Sequence, residues 1–439
     1  MAAGQRRIIA CSVVSILFWT GLNERTLSLF VLCLDPHVSD TRLAFFFAVA
    51  PATAILTVLT SPWVDLRGKK RLLVPFYFAG SAVLALLVGL PGLREWCRAD
   101  CLVNAAGVVL LGYFALRSLG FAGWFPLIND VVPEASRGRF FGRLRTSWQT
   151  MLVVCSFAVG MYLGQRPTLG QFQVVFAVAL AANLAMTLGI MTVPEAPVRP
   201  VSGGVGFWAR LILPLRERAF RNFVVFGMLY SVAAALSGPF AIRCLKSTLG
   251  AGDNFVVWMD TLASLGAALT LALWGRFVDR FGSRPLFVLL LPPLALSNLL
   301  WLLLRPGSAS WPYLVAGQAV TQGMLLAGIG VGITDMMLDS ARAGYQSSYI
   351  NFGTVANMLA AGAGPFLGTW VARGFGSLTG EWGPLVLDAN RWVFLVRAGL
   401  LLVPLLLVNR LSRRHGGHVG EALQRLSAGL LSAFPVLRR

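Results

Sequence analysis

Gly275-Arg276-Phe277-Val278-Asp279-Arg280-Phe281-Gly282-Ser283-Arg284 lies between two long apolar runs of the chain. A second version, Ser61-Pro62-Trp63-Val64-Asp65-Leu66-Arg67-Gly68-Lys69-Lys70, lies between two others, 214 positions earlier from Asp279 to Asp65. In each, an acidic residue ends one helix, a glycine three positions on turns the chain, and basic residues open the next helix. A loop repeated at half-length divides the molecule into two similar halves. A second match runs in the same order. Ala122-Gly123 through Asp130 lines up with Ala327-Gly328 through Asp335, displaced by 205. The smaller displacement is absorbed by a shorter loop near Arg305 to Trp311.

Composition says what these loops connect. Of 439 residues, 56% are hydrophobic and 13% charged. A soluble domain carries about 25% charge. Runs of about 20 apolar residues, long enough to cross a ~30 Å hydrocarbon core, recur along the chain. The prediction is an all-α integral membrane protein with twelve transmembrane helices in two pseudo-symmetric six-helix bundles. Spans are expected at 8–34, 39–63, 71–91, 102–129, 139–164 and 171–193, then 221–246, 253–275, 285–304, 311–336, 344–371 and 390–410. The domains are therefore 1–193, a linker at 194–220, 221–410, and a tail at 411–439. Pro194, Pro197, Pro200 and Gly203-Gly204 mark the linker as turn-rich. Phe207 to Leu213 and the tail around Glu421 to Ala433 are amphipathic enough to lie along the membrane surface.

The net charge of +19 follows topology. Alternating the crossings puts Arg67, Lys69, Lys70, Arg71, Arg137, Arg139, Arg276, Arg280, Arg284, Arg342 and Arg410 on one side, while the other receives fewer basic residues. That bias predicts cytoplasmic termini and a multi-pass protein of a cell (inner) membrane. The lipid bilayer is its partner and nucleic acid is not. No cleavable signal is evident, because the first run is too long and contains Glu24 and Arg25, so it reads as a retained span. Cys97 and Cys101 share an outer loop where a disulfide could form. No metal-ligand spacing, cofactor motif, nucleophile-base grouping or phosphate-cradling loop is present, so neither an enzyme nor an ATP-driven pump is expected.

The duplicated Gly-x-x-x-Asp-Arg-x-Gly-x-Arg loop resembles the signature of the major facilitator superfamily, closely in the second copy and with departures at Ser61 and Leu66 in the first. The resemblance spans essentially the whole chain. It implies an alternating-access transporter, monomeric by default, whose loop aspartates latch the halves on the cytoplasmic side. Asp65, Gly68, Lys69, Arg71, Asp279, Arg280, Gly282 and Arg284 inherit that gating role. Arg137 and Arg342, in the turns after spans four and ten, join them. Arg117-Ser118-Leu119-Gly120-Phe121-Ala122-Gly123 resembles the fourth-span motif of the family, which is often linked to proton coupling. The proline expected in the fifth span of drug antiporters is missing from Gly160 to Gly164.

Ionisable residues within spans are costly unless paired or functional. Glu24, Arg25 and Arg117 are the candidates for proton coupling. The resemblance places spans one and four on the central cavity, so Glu24 and Arg117 are expected to meet there. A carboxylate whose pKa depends on an arginine moving away can load and release a proton. Static ion pairing is the alternative. The repeat sets Arg117 against Gln322 and Glu24 against Gly238, concentrating charge in the first half. Gln318 and Gln322, one helical turn apart, Asp260 and Trp19 are the substrate-binding candidates. Ser237-Gly238-Pro239 is expected to interrupt span seven. The reading is a secondary transporter of a small organic solute, coupled to protons, with import favoured. Proton-driven efflux of amphiphilic compounds, and a non-transporting receptor or assembly factor on the same scaffold, remain open.

Overall fold

The computed structural model describes residues 3–132, 137–196, 215–340, 346–382 and 385–411. Among them, eleven helices are long and apolar enough to cross a membrane. The twelfth crossing is the first span, made of two shorter pieces, Ala3–Gly21 and Glu24–Leu34. Most limits fall within a few residues of expectation. Span two runs as Asp40–Thr53 and Ile55–Arg67, span three begins at Lys69, span five is Arg137–Leu163 and span six Leu169–Met191. In the second half, span eight is Asp253–Phe281, span ten Trp311–Asp339, span eleven Gln346–Gly374 and span twelve begins with Ala389–Leu402. One short antiparallel pair, Gly380–Trp382 with Leu385–Leu387, interrupts the all-helical plan between spans eleven and twelve. The surface helix expected near Phe207 and the one near Glu421 lie outside the described residues.

The first span departs from its predicted continuity. Its helix stops at Gly21, and Asn23 caps a new one, its side chain accepting from Thr26 N at 2.8 Å. Thr26 Oγ1 donates to Thr20 O at 3.0 Å, so the backbone groups freed by the break find partners in the absence of bulk water. Span seven breaks as expected. Arg218–Ala235 ends before Ser237, Gly238–Arg243 starts a new helix, and a π turn, Cys244–Thr248, completes the crossing. Gly238 is needed for closeness, since a Cβ there would stand 2.6 Å from the Phe47 ring.

Each half packs as a bundle: span one lies on five and six, three on four and six, seven on eleven, eight on ten, and nine on ten and twelve. Span five lies on eight and span two on eleven across the divide. The repeated loops fold alike. Gly68 and Gly282 both adopt positive φ, 97° and 81°, where other residues are strained. The residue after each glycine then reaches the acidic end of the half's fourth span. Lys69 pairs with Asp130, and Ser283 Oγ donates to Asp335 Oδ2 at 2.6 Å. Glu195 caps span three, accepting from Lys69 N at 2.5 Å, which sets an anion at a helix N-terminus.

One hydrophobic core runs through the first half and continues across Phe240, Val256, Trp301, Val315 and Phe394 of the second. All five lie toward the side away from the chain termini. The rest of the second half, including Phe220, Phe287 and Met336, has its own core. The shared core therefore joins the halves on the far side.

Candidate functional site

A cavity of about 600 Å³ lies between the halves. Both broken helices reach it. Asn23, Glu24 and Arg25 from the break in span one and Ser237 and Gly238 from the break in span seven are in its wall. Counting 1.5 Å per residue from the far ends, Asn23, Asp260 and Gln322 sit roughly 10–16 Å deep, near the middle of a ~30 Å hydrocarbon core. Trp19, Asp260, Gln318 and Gln322, expected to bind substrate, all line it. Gln318 Nε2 donates to Gln322 Oε1 at 3.2 Å, confirming that they share a face.

The charged groups are arranged in a specific way. Arg25 Nε lies 2.8 Å from Asp260 Oδ1, an ion pair joining span one to span eight across the halves. Asn23 Nδ2 donates to the other oxygen of Asp260 at 3.2 Å, and Arg25 Nη1 to Val256 O at 3.3 Å. Glu24 faces the cavity, exposed, and its carboxylate has no hydrogen bond or ion pair among the described residues. Its neighbours in space are Asp260 and Arg25.

Arg117 is elsewhere. It is buried and donates to Asn183 Oδ1 at 3.2 Å. Its guanidinium carbon lies 4.0 Å from the Phe18 ring centroid, 4.8 Å from Tyr77 and 5.4 Å from Trp19. Aromatic faces and an amide stabilise the cation where the sequence reading put a carboxylate. The expected meeting of Glu24 and Arg117 is therefore corrected: Trp19 lines the cavity, and Arg117 sits against the ring of Trp19 outside that wall. Among the described residues span four contributes none to the wall, while its counterpart, span ten, contributes Gln318 and Gln322. Asn183 completes the group by donating to Ser81 Oγ at 2.8 Å.

Sequence reading missed Arg397 of span twelve. It is 5% exposed, lines the cavity, and donates from Nη1 to Ser237 Oγ at 2.7 Å. The criterion that selected Arg117, a charge inside an apolar window, selects Arg397 equally well.

The residues expected to gate divide. Gly68, Lys69 and Gly282 act in the loop contacts described above. Arg71 is exposed. Asp279 is also exposed and makes no ion pair among the described residues, so in this conformation Asp130 and Asp335, rather than the loop aspartate of the second half, hold the loops. Arg280 lies over the ring of its neighbour Phe281. Arg284 is half-buried. The side chains of Asp65 and Arg137, and the whole of Arg342, lie outside the described residues. Cys97 and Cys101 are free thiols, so the outer-loop disulfide is absent.

Hydrogen bonds crossing between the halves cluster on the far side. Arg243 pairs with Asp40 at 2.6 Å, and Arg373 Nη2 donates to Thr41 Oγ1 at 2.7 Å. Asn254 N donates to Gly164 O at 2.8 Å, and Asp253 N to Gln165 O at 3.0 Å. The deepest, Gln149 Nε2 to Ser264 O at 3.1 Å, is roughly 16 Å in from the start of span eight. Below these contacts the cavity continues toward the terminal side.

Residues 223–439 match the family model described as Major Facilitator Superfamily. The chain belongs to the major facilitator superfamily. Solved structures of this fold cover nearly the whole chain. A variant of the nucleoside transporter NupG superposes with a TM-score of 0.67 at 12% identity, covering 92% of this chain and 99% of its own. The D-xylose-proton symporter gives 0.66 at 12%, covering 93% and 98%. The inward-open xylose transporter XylE from E. coli gives 0.65 at 13%, covering 95% and 98%. No curated protein matches the chain by sequence. At these identities the likeness is one of fold, and membership places a multi-pass membrane protein around the cavity.

Proposed function

We propose that the chain is a secondary active transporter that moves a small organic solute by alternating access, coupled to protons through Glu24. The observation that carries this reading is a mid-membrane cavity closed on the far side and charged by a carboxylate without a partner. Arg25 and Asp260 belong to different halves, so rocking the halves apart must separate them. Glu24 and Asp260 face each other across that seam, and a proton on Glu24 removes their mutual repulsion. Proton uptake thereby biases the equilibrium between the two states. The likeness in fold to a D-xylose-proton symporter supports the same reading, in which the solute is imported into the cytoplasm.

On this reading the terminal side faces the cytoplasm, the membrane is a cell (inner) membrane, and the working unit is a monomer. The units are 1–193 and 221–410, joined by 194–220. The receptor or assembly-factor reading loses support because Gln318 and Gln322 face an open cavity.

Spin labels test the motion without knowledge of the solute. Trp96 and Tyr313 are exposed on the far side, one in each half, 86% and 81% accessible. Nitroxides on Trp96→Cys and Tyr313→Cys in liposomes should report two distances whose balance changes between neutral and mildly acidic pH. Glu24→Gln should abolish that pH response. A single distance at every pH would end the transport reading.

A further inference from the structure

We propose that the solute carries an anionic group of carboxylate chemistry and that Arg397 receives it. This deepens the transport reading and rests on it. Arg397 lines the cavity, 5% exposed, and projects from span twelve about 12 Å in from Ala389. Its Nη1 is anchored on Ser237 Oγ, and its buried Nε has no hydrogen bond. It makes no ion pair with any described residue.

The other buried or cavity arginines of the spans differ in this respect. Arg25 has Asp260. Arg117 has three aromatic faces and Asn183. Arg391, fully buried at the far end of the same span, has Asp388 at 3.5 Å and the carbonyl of Leu304. A guanidinium stays protonated, so Arg397 cannot escape burial by losing its charge. Holding Ser237 uses one of five N–H donors, and a neutral side chain would serve for that. A buried cation beside a solute cavity, with donors to spare, is completed by an anion that arrives and leaves.

The charge balance of the cavity agrees. Arg25 and Asp260 cancel, leaving Glu24 and Arg397 as the two groups without a counter-charge among the described residues. An anion on Arg397 together with a proton on Glu24 leaves the loaded cavity neutral, the condition that best allows it to cross between states in an apolar surround. Gln318 and Gln322 offer neutral hydrogen bonding to the rest of the solute, and Trp19 and Trp148 offer apolar wall.

The test uses the purified full-length protein and matched probes: butyrate, benzoate and succinate against butyramide, benzamide and succinamide, at constant ionic strength. Carboxylates should raise the unfolding temperature and the amides should not. Arg397→Gln should weaken carboxylate binding by about tenfold to a hundredfold, the range of a charge-assisted hydrogen bond. Arg397→Lys should keep part of it. Glu24→Gln should strengthen it, a change of opposite sign that a general folding defect would not produce. Footprinting of the unmutated protein with phenylglyoxal gives a second reading, with benzoate and not benzamide protecting Arg397. Equal shifts for acids and amides, no shift for any of the six, or an undiminished carboxylate shift in Arg397→Gln would overturn the proposal. Two spin-label distances without any carboxylate effect would leave the transport reading standing and remove this one.

Discussion

A guanidinium 4.0 Å from a phenylalanine ring and hydrogen-bonded to a buried asparagine is held for structure, whereas one with idle donors in a cavity wall is held for exchange. Arg117 and Arg397 divide along that line. Arg117→Ala should lower stability by about 2–4 kcal/mol, through the lost packing and the orphaned Asn183. Thermal unfolding of the purified variant measures the loss, and the pH response of the far-side spin labels should persist in it. An Arg117→Ala protein as stable as the parent would show that the aromatic cage contributes little. The sequence exposed Arg117 as an odd charge but not its partner, because Asn183 is neutral and lies 66 positions away. Glu24 was legible as a cavity carboxylate for the opposite reason: an unpaired acid in an apolar run needs no second residue to be noticed.

Elements repeat more faithfully than residues do. Asn23 and Ser237, 214 positions apart like Asp65 and Asp279, each occupy the break of their half's first span, and each contacts a cavity charge. Ser-Gly-Pro announces the second break in the sequence. Leu22-Asn23 does not announce the first, since a capping asparagine inside an apolar run has no helix-breaking neighbour after it. The same span, whose first helix opens with Gln5, Arg6 and Arg7, is not among the eleven apolar helices. Helix contacts depend on glycines that composition alone cannot assign. Spans eight and ten approach so closely that a Cβ on Gly323 would lie 1.9 Å from Ala263 O, and one on Gly266 2.2 Å from Val320 O. Both obstacles are backbone, so the helices themselves must separate. Gly323→Ala should therefore cost about 1–3 kcal/mol and lower the unfolding temperature by several degrees, despite adding one methyl group of good helix former. Gly317→Ala in the same helix meets open space and should be neutral or mildly stabilising in that assay.

At the scale of the molecule, the duplicated loop foretold two bundles and twelve crossings, since hydropathy and repeats are properties of the chain itself. Which end of the interface is shut is not, because both states use the same sequence and differ by contacts between distant segments. Part of the seal is made by backbone: Gly164 O and Gln165 O receive the first two amides of span eight. Such contacts carry no side-chain signature. They also make the seal a suitable place to arrest the cycle. A short bis-methanethiosulfonate bridge between Gln165→Cys and Asn254→Cys, in a background lacking the accessible native thiols, should hold the far side closed. Uptake into proteoliposomes of whichever carboxylate stabilises the protein should then stop, and reductant should restore it. Binding from the terminal side should survive the bridge, since the bridged contact lies on the far side. Undiminished uptake in the bridged protein would mean that the far side is not a gate and that the halves do not rock about this seal.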